Sequence, residues 1–149
     1  MSELQVDVMN EETDRRVHWS FWLIGIVALV WNVGGVINYF VQMNPEMLDA
    51  YRESERAIIE GRPAWATGAF AIAVFGGALG CLLLLLRKSV ATYVFIASLL
   101  GVIVTMIHTL GVDIDFGPGE ILGIVLMPIV LAVFLIWYSK YTESKGWIR

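Results

Sequence analysis

Charged residues are scarce in this sequence. Asp, Glu, Lys and Arg make up 16% of its 149 residues, whereas hydrophobic residues make up 58%. A soluble domain carries about a quarter of its residues as charges, so the composition excludes an ordinary soluble fold and indicates a membrane protein. The net charge of −4 and the scattered basic residues also exclude a nucleic-acid partner.

Residues that make cross-links and metal sites are equally few. The chain holds one cysteine, Cys81, and two histidines, His18 and His108. One cysteine excludes an intrachain disulfide and a cysteine-based metal site. The two histidines fall near opposite ends of predicted membrane helices, about 30 Å apart, so they cannot share a zinc or haem centre. We therefore expect neither a metal nor a cofactor.

The sequence also lacks a set of catalytic groups within mutual reach. Ser98 and His108 lie ten residues apart on one predicted helix, about 15 Å along its axis, so they do not form a nucleophile–base pair. The glycines at 76–80 lie inside an apolar helix, where packing explains them better than phosphate binding does. We therefore expect a protein that is not an enzyme.

Long apolar runs are what the sequence does have. Four of them, at 19–42, 64–86, 89–110 and 121–139, are long enough to cross hydrocarbon about 30 Å thick. They predict an all-α membrane protein with a four-helix transmembrane domain at 19–139, between polar tails at 1–18 and 140–149. Because the chain begins with polar, acid-rich residues, the first run is expected to stay in place as a span.

One more helix is predicted outside the membrane, at 45–60. Asn44 is suited to cap it, Pro45 fits the first helical position, and Gly61 fits its end. Its apolar and charged residues fall on different sides, which is typical of an amphipathic helix on the membrane surface. In the last span, Pro128 is expected to bend the helix.

Glycines mark the faces on which the spans pack. Gly34 and Gly35 lie in the first span, and Gly76, Gly77 and Gly80 lie in the second. Lipid supplies no hydrophobic drive between helices, so small residues that allow close backbone approach favour their association. The spacing alone leaves two alternatives open, packing within one subunit and packing between subunits of a homo-oligomer.

The basic residues predict the orientation. Seven of the ten Lys and Arg residues lie in the two tails and in the turn at 87–88, and the other three lie between the first two spans. By the positive-inside rule both termini are cytoplasmic, and the surface helix faces outward.

Polar side chains within the spans are then concentrated in the outer half. The inner half contains the apolar runs at 82–86, 94–97 and 131–136, and we expect it to be closed. Four polar residues are the candidate ligand-binding residues, with a small solute or a lipid headgroup as the ligand. They are Asn32, Asn38, Thr105 and His108.

Several segments resemble a known group of proteins. These are Trp31-Asn32 with Gly35, the entry Pro63-Ala64-Trp65, GGALGCLLLLLR at 76–87, and the endings FLIWY and GWIR. Together they resemble small bacterial four-span membrane proteins that often carry the label hypothetical or sugar-transporter-like. The resemblance implies a bacterial inner membrane and supplies no substrate-binding residues.

Two functional hypotheses follow. The first is a transport-related or accessory protein whose outer-leaflet polar cluster binds a solute or a lipid headgroup. The second is an interaction subunit that docks another membrane protein through its glycine face or its surface helix. The bilayer is a partner in both, together with a second copy of the chain or another membrane protein.

Overall fold

The computed structural model describes residues 2–14 and 16–149, with side chains described outside 11–14. Over these ranges it contains helices and turns, and no strand. The helices are α1 (Glu3–Asp14), α2 (Trp19–Gln42), α3 (Glu53–Glu60), α4 (Ala64–Leu85), α5 (Ala91–Gly111) and α6 (Pro118–Ser144). Of these, α2, α4, α5 and α6 are long and apolar enough to cross a membrane. The predicted all-α fold with four spans is therefore confirmed.

The two middle spans form the centre of the bundle. Helix α4 packs against both α5 and α2, and α6 packs against α5. A third of the most apolar stretch of α4 and of α5 is buried, compared with 11% for α2 and 17% for α6. We call the end that holds Trp19, Leu85, Ala91 and Ser144 the terminal end, and the opposite end the loop end.

Small residues bring α4 and α5 into backbone contact. A Cβ atom added at Gly101 of α5 would lie 2.7 Å from the carbonyl oxygen of Ala69 and 2.8 Å from the nitrogen of Ala73. The Ser98 hydroxyl donates to the Ala73 carbonyl at 2.6 Å. Close backbone approach and an interhelical hydrogen bond thus hold this pair together, as expected where hydrophobic drive is absent.

The segment predicted as one surface helix at 45–60 is two short helices. A 3₁₀ helix, Pro45–Ala50, is followed by extended backbone at Tyr51 and by α3. The predicted start of the surface segment is correct, because the Asn44 side chain accepts a hydrogen bond from the Glu46 N–H. In one continuous helix, Leu48 and Ile58 would lie roughly 80° apart around the axis. The break allows both side chains to be buried.

The last span is longer than the predicted 121–139, and it is not uniformly α-helical. Residues Ile121–Leu126 form a π-helical turn just before Pro128, and the Met127 N–H donates to the carbonyl of Leu122, five residues earlier. Pro128 has no N–H to give, so a wide turn at this point accommodates the missing hydrogen bond.

The C-terminal tail, predicted to be a polar extension, is part of the fold. After α6 ends, Trp147 and Ile148 turn back and enter the apolar core of the terminal end. They pack there with residues from all four spans, including Phe21, Leu84 and Phe95. The tail therefore closes the terminal end of the bundle.

Candidate functional site

The four candidate ligand-binding residues lie on two helices that are separated by α4. Asn32 and Asn38 lie on α2, and Thr105 and His108 lie on α5. Among the described hydrogen bonds, none joins one pair to the other. The structure therefore does not bring the four predicted residues into one cluster.

Three of the four use their polar groups within the protein. Asn32 Nδ2 donates to the Ala28 carbonyl at 2.8 Å and to Cys81 Sγ at 3.5 Å. Asn38 Oδ1 accepts from the Tyr51 hydroxyl. The Thr105 hydroxyl donates to the carbonyl of Gly101 in its own helix at 2.8 Å. These contacts hold helices and loops in place.

His108 is the exception among the four. Its ring meets the ring of Trp65 edge-on, with the centroids 5.6 Å apart. Its Nδ1 atom is buried and has no hydrogen-bond partner in the described part of the chain. Among the described side chains, those of residues 2–10 and 16–149, no group of three or more His, Cys, Asp or Glu is placed to hold a metal ion.

The glycines of α4 face neighbours inside the subunit. A Cβ atom at Gly76 would lie 3.1 Å from Ser98 Cβ, and one at Gly80 would lie 2.5 Å from the Phe95 ring. Gly77 faces the Asn32 amide. Of the two alternatives for this face, packing within the subunit is the one the structure contains.

The glycines of α2 differ from each other. A Cβ atom at Gly35 would lie 3.3 Å from Val74 of α4, whereas one at Gly34 would have no neighbour within 4 Å. Gly35 therefore provides the close approach between α2 and α4. Gly34 is exposed on α2 and has no packing contact within the described subunit, so its predicted packing role stays a prediction.

A cavity of about 640 Å³ lies at the terminal end, between the start of α2 and the last turns of α6. Its volume is in the range of small-molecule binding sites. Half of its ten lining residues are aromatic residues of α6 and the C-terminal tail. These aromatic residues are Phe134, Trp137, Tyr138, Tyr141 and Trp147.

The charged residues of the cavity wall are all basic, and a histidine lies beside them. Arg16, His18 and Lys145 line it, and no Asp or Glu does so among the described residues. His18 Nδ1 caps α2 by accepting from the Ser20 N–H at 3.3 Å. The same Nδ1 atom lies 2.7 Å from the Ser20 hydroxyl oxygen. These two contacts fix the ring at the start of α2.

Two buried donors of the wall have no partner. The hydroxyl of Tyr138 and Nε1 of Trp147 are both enclosed, without a hydrogen bond in the described part of the chain. Their side chains are nearly covered, with 4% and 8% of their surface exposed. Buried donors are almost always paired in native proteins, and an unpaired one costs about 1–3 kcal/mol. A ligand with oxygen acceptors would offer these donors the partners they lack.

The C-terminal tail is fixed to the turn between α4 and α5. Arg87 Nε donates to the Trp147 carbonyl at 2.7 Å, and the Ser89 N–H donates to the Arg149 carbonyl at 2.8 Å. Gly146 turns the chain back with a φ of +72°, in the left-handed region that glycine adopts most easily. The tail thus places the Trp147 indole in the cavity wall.

The expectation of a closed, apolar inner half does not describe this end. Besides the cavity, it contains a buried hydrogen bond of 3.0 Å between the Thr92 and Ser139 hydroxyls. Sequence reasoning missed the cavity because its residues come from two segments far apart in the chain, half of them from predicted spans and half from predicted tails. The one available signal was the apolar pair Trp147-Ile148 after a glycine, which is unusual at the end of a solvent-exposed tail.

Comparisons with known proteins return no match to this chain among family models, curated proteins or solved structures.

Proposed function

We propose that this multi-pass membrane protein is a non-enzymatic accessory protein of the bacterial inner membrane that binds an anionic lipid headgroup in its terminal-end cavity. One observation carries the proposal. The charged side chains that line this cavity are all basic, and the same wall contains two buried hydrogen-bond donors without partners, Tyr138 and Trp147. Its inner-membrane location rests on the resemblance to small bacterial four-span proteins.

The charge of the cavity favours an anion. Arg16 and Lys145 are both positive at neutral pH, and Lys145 Nζ lies 5.9 Å from the centre of the Tyr141 ring. Phosphate and carboxylate groups accept strong, charge-assisted hydrogen bonds from such donors. The neutral donors of Tyr138 and Trp147 suit the remaining oxygens of the same group.

The position of the cavity favours a lipid over a soluble anion. Trp137 and Tyr141 stack with ring centroids 5.6 Å apart, and Trp137 is 59% exposed. Aromatic side chains of this kind are enriched where a span meets the headgroup region. Acyl chains would then follow the apolar surfaces of α2 and α6 while the headgroup occupies the cavity.

The distribution of basic residues supports a cytoplasmic terminal end. Seven of the ten Lys and Arg residues belong to it, which is the asymmetry of the positive-inside rule. Anionic lipids of the cytoplasmic leaflet attract such segments. Both features favour a position of the cavity at the inner leaflet.

Native mass spectrometry of the full chain, released from vesicles, tests the proposal. Vesicles of phosphatidylglycerol and phosphatidylcholine are expected to leave phosphatidylglycerol bound to the wild type. Lys145→Gln should weaken this binding about fivefold, the equivalent of about 1 kcal/mol per basic residue at an anionic surface. Tyr138→Phe should weaken it as well, because it removes a donor and leaves the charge unchanged.

Lys140→Gln is the matched control on the same helix. Lys140 pairs with Glu143 at 2.9 Å and does not line the cavity. Equal retention of both lipids by the wild type, or equal loss of binding in Lys140→Gln and Lys145→Gln, would contradict the proposal.

The alternative hypothesis is an interaction subunit that docks another membrane protein, and only one of its two predicted docking surfaces is accessible. The glycine face of α4 is covered by Ser98 and Phe95 of α5, so it is not free for a partner. The surface segment at 45–60 has exposed charged residues, including Asp49 and Glu53. A partner membrane protein would therefore dock on this segment.

A further inference from the structure

A second group of polar side chains surrounds Arg62 at the loop end. Arg62 lies two residues before α4, and its Nη1 donates to Gln42 Oε1 at the end of α2, at 2.9 Å. The guanidinium carbon lies 4.8 Å from the centre of the Phe70 ring. The side chain is thus held between α2 and α4 and does not extend freely into solvent.

Among the side chains that the structure describes, no carboxylate forms an ion pair with Arg62. The described ion pairs involve Arg52, Arg56 and Lys140, and each of those cations is within 4.0 Å of a carboxylate. Burial lowers the pKa of Arg62, and the neighbouring side chains that oppose this effect are Tyr39 and Tyr51. A partly buried cation without a counterion is costly to a folded protein.

The free edge of the guanidinium suits an oxyanion. With Nη1 bonded to Gln42, the edge formed by Nε and Nη2 remains, and Nε is buried without a hydrogen-bond partner. These two N–H groups point in the same direction, so they can donate in parallel to two oxygens of one phosphate.

Neutral neighbours complete the group. The Tyr51 hydroxyl donates to Asn38 Oδ1, and burial raises the pKa of Tyr51, so the phenol stays protonated at neutral pH. Asn38 Nδ2 remains as a donor. The surroundings of Arg62 therefore add one further donor, and the acidic side chain within electrostatic reach of Tyr51 is Glu55, which forms no described ion pair with Arg62.

We propose that Arg62, held by Gln42 and Phe70, binds a phosphate group at the loop end. Because Arg62 lies just outside α4, this site is level with the headgroups of the leaflet at that end, and a lipid phosphate or free phosphate fits the same chemistry. The site is separate from the terminal-end cavity, so this inference does not rest on the proposed function. Asn38 is the one predicted candidate residue that belongs to it.

The test measures the thermal stability of the detergent-solubilised full chain in two titrations. One uses inorganic phosphate against sodium chloride of equal ionic strength, and the other uses mixed micelles with phosphatidylglycerol or phosphatidylcholine. We expect the melting temperature to rise with at least one phosphate source. The midpoint concentration should increase about tenfold in Arg62→Gln, as expected for loss of a charge-assisted hydrogen-bond pair. A response to inorganic phosphate identifies a free-phosphate site, and a response to phosphatidylglycerol alone identifies a lipid site.

Arg56→Gln is the matched control, because Arg56 lies in the same segment and is already paired with Asp49 and Glu60. It should respond like the wild type, and so should Lys145→Gln at the terminal end. If Arg62→Gln does not fold, Arg62→Lys gives the same comparison, since it keeps the charge and removes the two-pronged edge. The absence of any response in the wild type, or equal midpoints in the Arg62 and Arg56 variants, would overturn the proposal.

Discussion

Phe95 shows how single residues set the distance between the central helices. Its ring is 1% exposed and lies directly against Gly80 of α4, where a Cβ atom would come within 2.5 Å of it. The ring cannot move aside without disturbing the core of the terminal end, where it packs with Cys81 and Leu84. The absence of a side chain at position 80 is therefore a requirement of the packing.

Gly80→Ala is expected to destabilise the protein by about 1–3 kcal/mol, the usual cost of overpacking a core. The reason is the contact with Phe95. Thermal unfolding in detergent, followed by circular dichroism, measures the change. Gly34→Ala is the control, because nothing lies within 4 Å of a Cβ atom at that position. Equal melting temperatures for the two variants would show that α4 and α5 are not packed as described.

The same residues show what spacing can and cannot predict. The small residues of α4 were recognisable because helix periodicity places them on one side. The residues that contact these glycines were not recognisable, because nothing in the sequence indicates that Phe95 and Asn32 face a glycine. Gly34 and Gly35 are adjacent and chemically identical, yet only Gly35 contacts α4. The rotation of α2 about its axis decides between them, and that rotation is set by tertiary contacts.

At the scale of elements, the spans were predictable and the segments between them were not. The predicted ranges 19–42 and 64–86 match Trp19–Gln42 and Ala64–Leu85 closely, because length and lack of charge define a span. The surface segment and the C-terminal tail are short and have mixed composition. Their structure depends on where Leu48, Ile58 and Trp147 find buried positions.

Trp147→Ala tests the role of the C-terminal tail. The indole is 8% exposed and contacts the rings of Phe21 and Tyr141, so its removal should lower the free energy of unfolding by about 3–5 kcal/mol. Trp19→Ala is the matched control at the same end, because Trp19 is 67% exposed and should cost under about 1 kcal/mol. Chemical unfolding in detergent, monitored by circular dichroism, compares the two. Similar losses would mean that the tail does not close the bundle.

For the whole molecule, the two outer spans decide where a site can form. Helix α2 packs against α4 and α6 packs against α5, and the cavity lies between the start of α2 and the last turns of α6. Residues 16–24 and 134–147, which are more than a hundred positions apart in the sequence, line the same cavity. Periodicity and spacing within one segment cannot predict a contact between segments so far apart. Sequence analysis therefore chose the polar residues within the spans as candidates, and these lie toward the loop end.

The orientation of the whole molecule is the last quantity that can be tested, and the chain is well suited to the test. Its one cysteine, Cys81, is buried, so the wild type should not react with a membrane-impermeant maleimide. Ser2→Cys adds a reactive group beside α1, and Asp113→Cys adds one at the loop end, where Asp113 is exposed. Because seven of the ten basic residues belong to the terminal end, the positive-inside rule predicts that only the cysteine at position 113 faces the outside of intact cells. Maleimide should label Asp113→Cys from the periplasm, and Ser2→Cys only after the cells are lysed. The reverse pattern would place the terminal-end cavity at the outer leaflet, and the Arg62 group would then face the cytoplasm.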